Sequence, residues 1–176
     1  NRAEAGGGAA YSTLNNCTLE ANRGWSSGGG AYASTLNNCT LTNKAAEYYG
    51  GGAYASTLSH CILAGNSASW GGGASSGRMS HCALTNNSAG TYGGGAHSAA
   101  LASCLIVSNT AYSGGGTYSA TPANCAVLGN LATSCGGGAF AGDLRNCTLT
   151  SNSAGYGGGE YSGTLTNCTL TVNSAS

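Results

Sequence analysis

Nine cysteines in a chain of 176 residues are the first candidates for chemistry, as disulfides, thiolate metal ligands or nucleophiles. Eight of them, Cys17, Cys39, Cys61, Cys82, Cys104, Cys125, Cys147 and Cys168, recur at intervals of 21 or 22 residues. They lack the tetrahedral spacing and the nearby histidines of a thiolate metal site. If the chain stacks in parallel turns, equivalent Cβ atoms stand about 4.8 Å apart, beyond the roughly 3.5–4.5 Å that a disulfide prefers. The eight are therefore expected to be reduced and to serve as small apolar core side chains. Cys135 lies off this series, either as a surface thiol or as an intermolecular bridge.

The remaining reactive groups are sparse. His60 and His81 each precede a cysteine of the series and should stack on adjacent turns, but two imidazoles without a third ligand make a poor metal site. The five acids, Glu4, Glu20, Glu47, Asp143 and Glu160, fall in different phases of the repeat or on distant turns. No two are expected to meet as an acid/base pair or a calcium cage. No Ser-His-Asp constellation or phosphate-cradling loop is present, so neither catalysis nor a cofactor or metal is expected. Five basic and five acidic residues give a net charge of zero, with no basic stripe for nucleic acid. No apolar run reaches the length of a membrane span. Near-zero charge favours self-association. The N-C-T sequons arise from the repeat itself and carry no separate information.

The elements that position these residues are set by glycine. Triplets begin at Gly6, Gly28, Gly50, Gly71, Gly93, Gly114, Gly136 and Gly157, and each is followed by a cysteine eleven residues on. Three residues before that cysteine stands Leu14, Leu36, Leu58, Met79, Leu101, Pro122, Leu144 or Leu165. Two residues after it comes another aliphatic, and five after it Asn22, Asn66, Asn87, Asn109, Asn130, Asn152 or Asn173, with Lys44 the exception. The pattern L-x-x-C-x-L-x-x-N resembles a leucine-rich-repeat strand. The return segment S-A-x-x-G-G-G-A-Y lacks further leucines, however, and three glycines disfavour a helix.

An all-β right-handed parallel β-helix of eight coils, each 21–22 residues and uncapped at both ends, is therefore expected as one domain over 1–176. Strands are expected around G-A-Y-A, around N-C-T-L-T and near the Asn corner, with length varying at one corner. Pleat parity turns each cysteine and the aliphatic two residues on inward. The earlier leucine has the wrong parity and needs a bend at pairs such as Asn15-Asn16 and Asn37-Asn38. The asparagines should stack as a buried amide ladder.

Three outward features remain. Tyr32, Tyr54, Tyr118, Phe140 and Tyr161 form an aromatic column interrupted by Ser75 and His97; Tyr49, Trp70, Tyr92 and Tyr156 form a second. They are expected to cover the glycine ridge and stack on each other, with a stacking platform for polysaccharide as the alternative. Around the cysteine column the outer turns carry Thr pairs (Thr40/Thr42, Thr148/Thr150, Thr169/Thr171), an arrangement also met in ice-binding solenoids. The central turns instead carry Ile62, Ala64, Leu105, Val107 and Leu128, an apolar patch expected to pack laterally against another copy. The chain opens at Asn1 and closes at Asn173-Ser-Ala-Ser in one phase, so two readings are expected: a stretch of a longer stalk of a cell-surface protein, or copies stacked head to tail into a filament with coil register preserved.

The repeat resembles those of bacterial surface proteins with right-handed β-helix repeats. It is similar to the G-G-A/F-x-x-N repeats of polymorphic outer membrane proteins and to pectin-lyase-like β-helices, and closer to the N-S-A-x-x-G-G-G-x-Y repeats of large secreted proteins. The resemblance spans essentially all 176 residues. It implies secretion or surface display and an adhesive or structural role. The F-x-x-N element is replaced by L-x-x-C-x-L-x-x-N, and no family binding residue maps onto this chain.

Overall fold

The computed structural model describes residues 1–176 as a β-solenoid without helices, built of four parallel sheets of nine, eight, eight and eight strands. Each strand pairs in register with its counterpart one coil away: Leu36 with Leu58, Leu58 with Met79, and Met79 with Leu101. The interval of 21 or 22 residues is thus the vertical step of the stack.

The coil has four sides, not three. In the second coil these run over 28–32 (glycine side), 33–37 (leucine side), 38–42 (cysteine side) and 43–49 (variable side), with strands Ala31–Tyr32, Thr35–Asn37, Thr40–Thr42 and Ala45–Ala46. Each corner is one residue in the left-handed region: Gly28 (φ 61°), Ala33 (φ 46°), Asn38 (φ 52°) and Asn43 (φ 55°). A left-handed residue resets the pleat. The leucine before each cysteine therefore needs no two-residue bend, because it sits mid-strand on a side of its own, and only Asn38 turns. Corner amides remain in the ladder, as Ala33 N–H to the Tyr54 carbonyl and Asn38 N–H to the Ser59 carbonyl show. Hydrogen bonds from the coil above thus hold alanine and asparagine where free chains rarely go.

Length variation stays on the variable side, where the register slips by one residue between Ala68 and Trp70 and again between Ala111 and Ser113. Inside lie Leu36, Leu58, Leu101 and Leu144 from the leucine side, Cys39 to Cys147 with Leu41, Leu63, Leu84, Ile106, Val127 and Leu149 from the cysteine side, and the alanines beside the glycines. All are essentially inaccessible.

The fifth triplet shows why glycine is needed three times over. Gly93 turns the corner at φ 66°. A Cβ on Gly94 would lie 2.4 Å from both the Thr110 and Gly115 carbonyl oxygens, and one on Gly95 would meet the Asn109 amide and Ile106. The glycine side can therefore close against the variable side of its own coil only without side chains.

Candidate functional site

In a solenoid, side chains of one phase become columns, so each candidate is a column. Along the thiol column, the N–H of Cys39 points at Cys61 Sγ (3.4 Å), and Cys61 Sγ lies 3.3 Å from the Ser59 carbonyl and 3.5 Å from the Leu36 carbonyl. The same set recurs at Cys104, Cys125 and Cys147. Cys39, Cys61, Cys82, Cys125, Cys147 and Cys168 each accept from the coil beneath and donate to their own corner, and all nine cysteines are free. A neutral S–H fits this dual role, and burial pushes the Cys39 thiol above its ordinary value. Cys17 and Cys168, on the outermost coils, and Cys135, on the variable side, are half-buried.

The amide column is continuous from Asn66 to Asn173. Asn87 Nδ2 donates to Asn109 Oδ1 (3.0 Å) and to the Leu63 carbonyl (2.9 Å), while Asn87 N–H donates to Asn109 Oδ1 (2.9 Å). The bonds repeat through Asn130 and Asn152 to Asn173. Every amide is thereby satisfied without water, at a corner that otherwise leaves a carbonyl unpaired.

Asn22, expected in this ladder, is cut off from it. Lys44 fills the intervening place, fully buried, with its stem under Gly30 and its Nζ folded back onto the Thr42 carbonyl at 2.9 Å. Its backbone N–H still bonds Asn66 Oδ1, but it offers no acceptor to Asn22. Burial lowers the Lys44 pKa to about 8, offset in part by Glu20 on the coil below. Because the free amine titrates near 10.5, the unfolded chain holds more protons than the folded one between about pH 8 and 10.5. Lys44→Asn should raise stability at pH 7, and wild type should recover relative to it as pH rises through that window. Urea unfolding of both proteins at pH 7 and pH 10 checks this; an unchanged difference would refute it.

The aromatic columns merge. Tyr32 stacks on Tyr54 (5.5 Å), which meets Tyr49, and Tyr49 meets Trp70 edge-on (4.8 Å). Trp70 contacts His97, which stacks on Tyr118, followed by Phe140 (4.7 Å) and Tyr161 (5.4 Å). Trp70 thus bridges the gap at Ser75, and His97 is a member where an interruption was expected. Tyr11 extends the row from a corner, while Tyr156 makes no ring contact in it. Most ring faces are occupied by neighbouring rings, so the row presents mainly edges and hydroxyls to solvent.

His60 and His81 stack at 4.9 Å with rings 5° from parallel, and Ser59 Oγ lies 2.9 Å from His60 Nδ1. No group of three or more His, Cys, Asp or Glu side chains is placed to hold a metal ion. Glu160 turns into the alanine column, pairing above Ala139, and burial raises its carboxyl pKa. A shallow groove of about 340 Å³ crosses the leucine side at Arg78, where Ala100, Ala102 and Ala123 replace larger outward residues.

The cysteine side presents the most distinctive surface. Its outward positions form two vertical columns, Ile62–Ala83–Leu105–Ala126 and Ala64–Thr85–Val107–Leu128, joined strand to strand. Ile62 is 47% and Leu105 42% exposed, and Ala64, Val107 and Leu128 are half-buried beside them. The patch residues therefore share one flat face. Neither a family model nor a curated protein matches the chain.

Proposed function

We propose that this chain is a structural, non-enzymatic, extracellular solenoid of the bacterial surface class its repeats resemble, and that it acts by packing against other copies of itself. The observation that carries this reading is the apolar face over Ile62, Leu105, Val107 and Leu128, on a sheet whose outer strands carry threonine. Large aliphatics on a solvated flat sheet lower solubility unless something covers them. The balanced charge offers no long-range repulsion between copies.

A polysaccharide platform finds less support, because the rings stack mainly on one another. Leu105→Lys with Val107→Lys should weaken self-association by about 100-fold or more while leaving the melting temperature within a few degrees. Sedimentation velocity across a concentration series reads this; an unchanged association state would discard the face as the contact.

A further inference from the structure

We infer that the cysteine side pairs with a second copy in one antiparallel register, with a two-fold axis that lies along the strands and passes between the fourth and fifth coils. This rests on the self-association proposed above and adds its geometry. The inference comes from the order of side-chain sizes down the two outward columns: Ile, Ala, Leu, Ala alternate in one, and Ala, Thr, Val, Leu rise steadily in the other.

A rotation about an axis parallel to the strands reverses coil order but keeps each column opposite itself. With the axis between the coils beginning at Gly71 and Gly93, Ile62 faces the partner's Ala126 and Leu105 faces the partner's Ala83. In the second column Leu128 faces the partner's Ala64 and Val107 the partner's Thr85. Every large residue meets a smaller one, which is how facing sheets interdigitate at about 10 Å. The other two-fold arrangement, with coils parallel, sets the first column against the second within each coil. Leu105 would then meet the partner's Val107 twice over, and Ala83 would meet only Thr85. Overfilling one layer beside an underfilled one is unfavourable on both counts.

The surroundings of the patch agree. The antiparallel register places Gly65 against the partner's Gly129 at one corner, and both are exposed. His60 and His81 fall opposite the partner's Asn124 and Ser103, a polar rim. Glu20 is the one charged residue among the outward positions of this side, and it faces the partner's Thr171. A side of five residues and eight coils measures roughly 16 by 38 Å, so each copy buries about 600 Å². That is below the roughly 800 Å² per partner of a standard stable interface, which places the contact in the size class of weak, transient encounters.

The test exploits a distance. Ile62 and Ala126 lie three coils apart in one chain, roughly 14 Å, and cannot touch there. Sedimentation equilibrium would compare wild type, Ala126→Trp, Ile62→Ala and the double variant, with circular dichroism melts confirming that each folds. Ala126→Trp should weaken the dimer by about 100-fold, and adding Ile62→Ala should bring it back to within about tenfold of wild type. If tryptophan prevents folding, Ala126→Leu with Ile62→Ala exchanges large for small across the same contact and should dimerise like wild type. A double variant as weak as the single, or an Ala126→Trp variant as tight as wild type, overturns the register while leaving self-association standing. A wild-type chain that stays monomeric at millimolar concentration removes both.

Discussion

Gly94→Ala is expected to abolish folding or to destabilise the solenoid by more than about 4 kcal/mol, the range reserved for backbone clashes and similar failures. The added methyl would sit 2.4 Å from the Thr110 carbonyl of its own coil and 2.4 Å from the Gly115 carbonyl of the next. Both obstacles are backbone held in ladder hydrogen bonds, so no side-chain rotation relieves the contact. Moving either coil breaks bonds to its neighbours, and the defect spreads along the stack. Gly129→Asn is the matched control. Gly129 has φ 59° with nothing closer than Ser108 Oγ at 3.9 Å, and asparagine already occupies the equivalent corner at Asn43 and Asn86. Its effect should lie within about 0.5 kcal/mol of zero, with a slight gain from reduced freedom of the unfolded chain. Urea denaturation of the two variants side by side gives the measurement; comparable stabilities would show that the glycine side does not need its close approach.

Asn109→Leu is expected to cost about 4 kcal/mol or more, although it exchanges a polar core residue for an apolar one of similar size. Asn109 is fully buried and exchanges side-chain bonds with Asn87 below and Asn130 above, besides capping the Leu84 carbonyl at 2.9 Å. Leucine leaves Asn87 N–H, Asn87 Nδ2 and the Leu84 carbonyl short of partners, each worth roughly 1–3 kcal/mol when buried. Asn109→Asp is the informative companion. A carboxylate can still accept from Asn87, but it faces the Leu84 carbonyl and Asn130 Oδ1 without donors. Its folded pKa would therefore be raised above the roughly 3.9 of the unfolded chain, so its penalty relative to wild type should shrink as pH falls through that raised value and level off below about 4, where both states are protonated. Thermal melts of the three proteins at pH 7 and pH 3.5 read both effects. A leucine variant as stable as wild type would show that the ladder is incidental to the core.

These two columns bear on the proposed assembly because they keep the coil square. The amide ladder fixes the corner where the cysteine side ends, and the glycines let the opposite sides close behind it. A face held so firmly keeps Ile62, Leu105 and Leu128 at fixed heights, and only then can the order of side-chain sizes select one register. A variant weakened at Asn109 should accordingly also lose association, in proportion to its unfolded fraction.

The period, the parallel stack and most of the interior follow from residue order alone, because in-register coils make residues 21 or 22 apart into neighbours, and a repeated type then reads directly as a column. The inward thiols, the Asn66–Asn173 ladder and the apolar patch at Ile62 to Leu128 were all legible on that ground. The number of sides, by contrast, emerges only in the folded coil. Left-handed corners at Ala33, Ser103 and Tyr11 carry residues that give no local sign of that conformation, since the hydrogen bonds of adjacent coils impose it. Trp70 closing the aromatic row over Ser75, and Lys44 severing Asn22 from the amide ladder, likewise depend on where side chains reach between columns, which a repeat pattern does not encode.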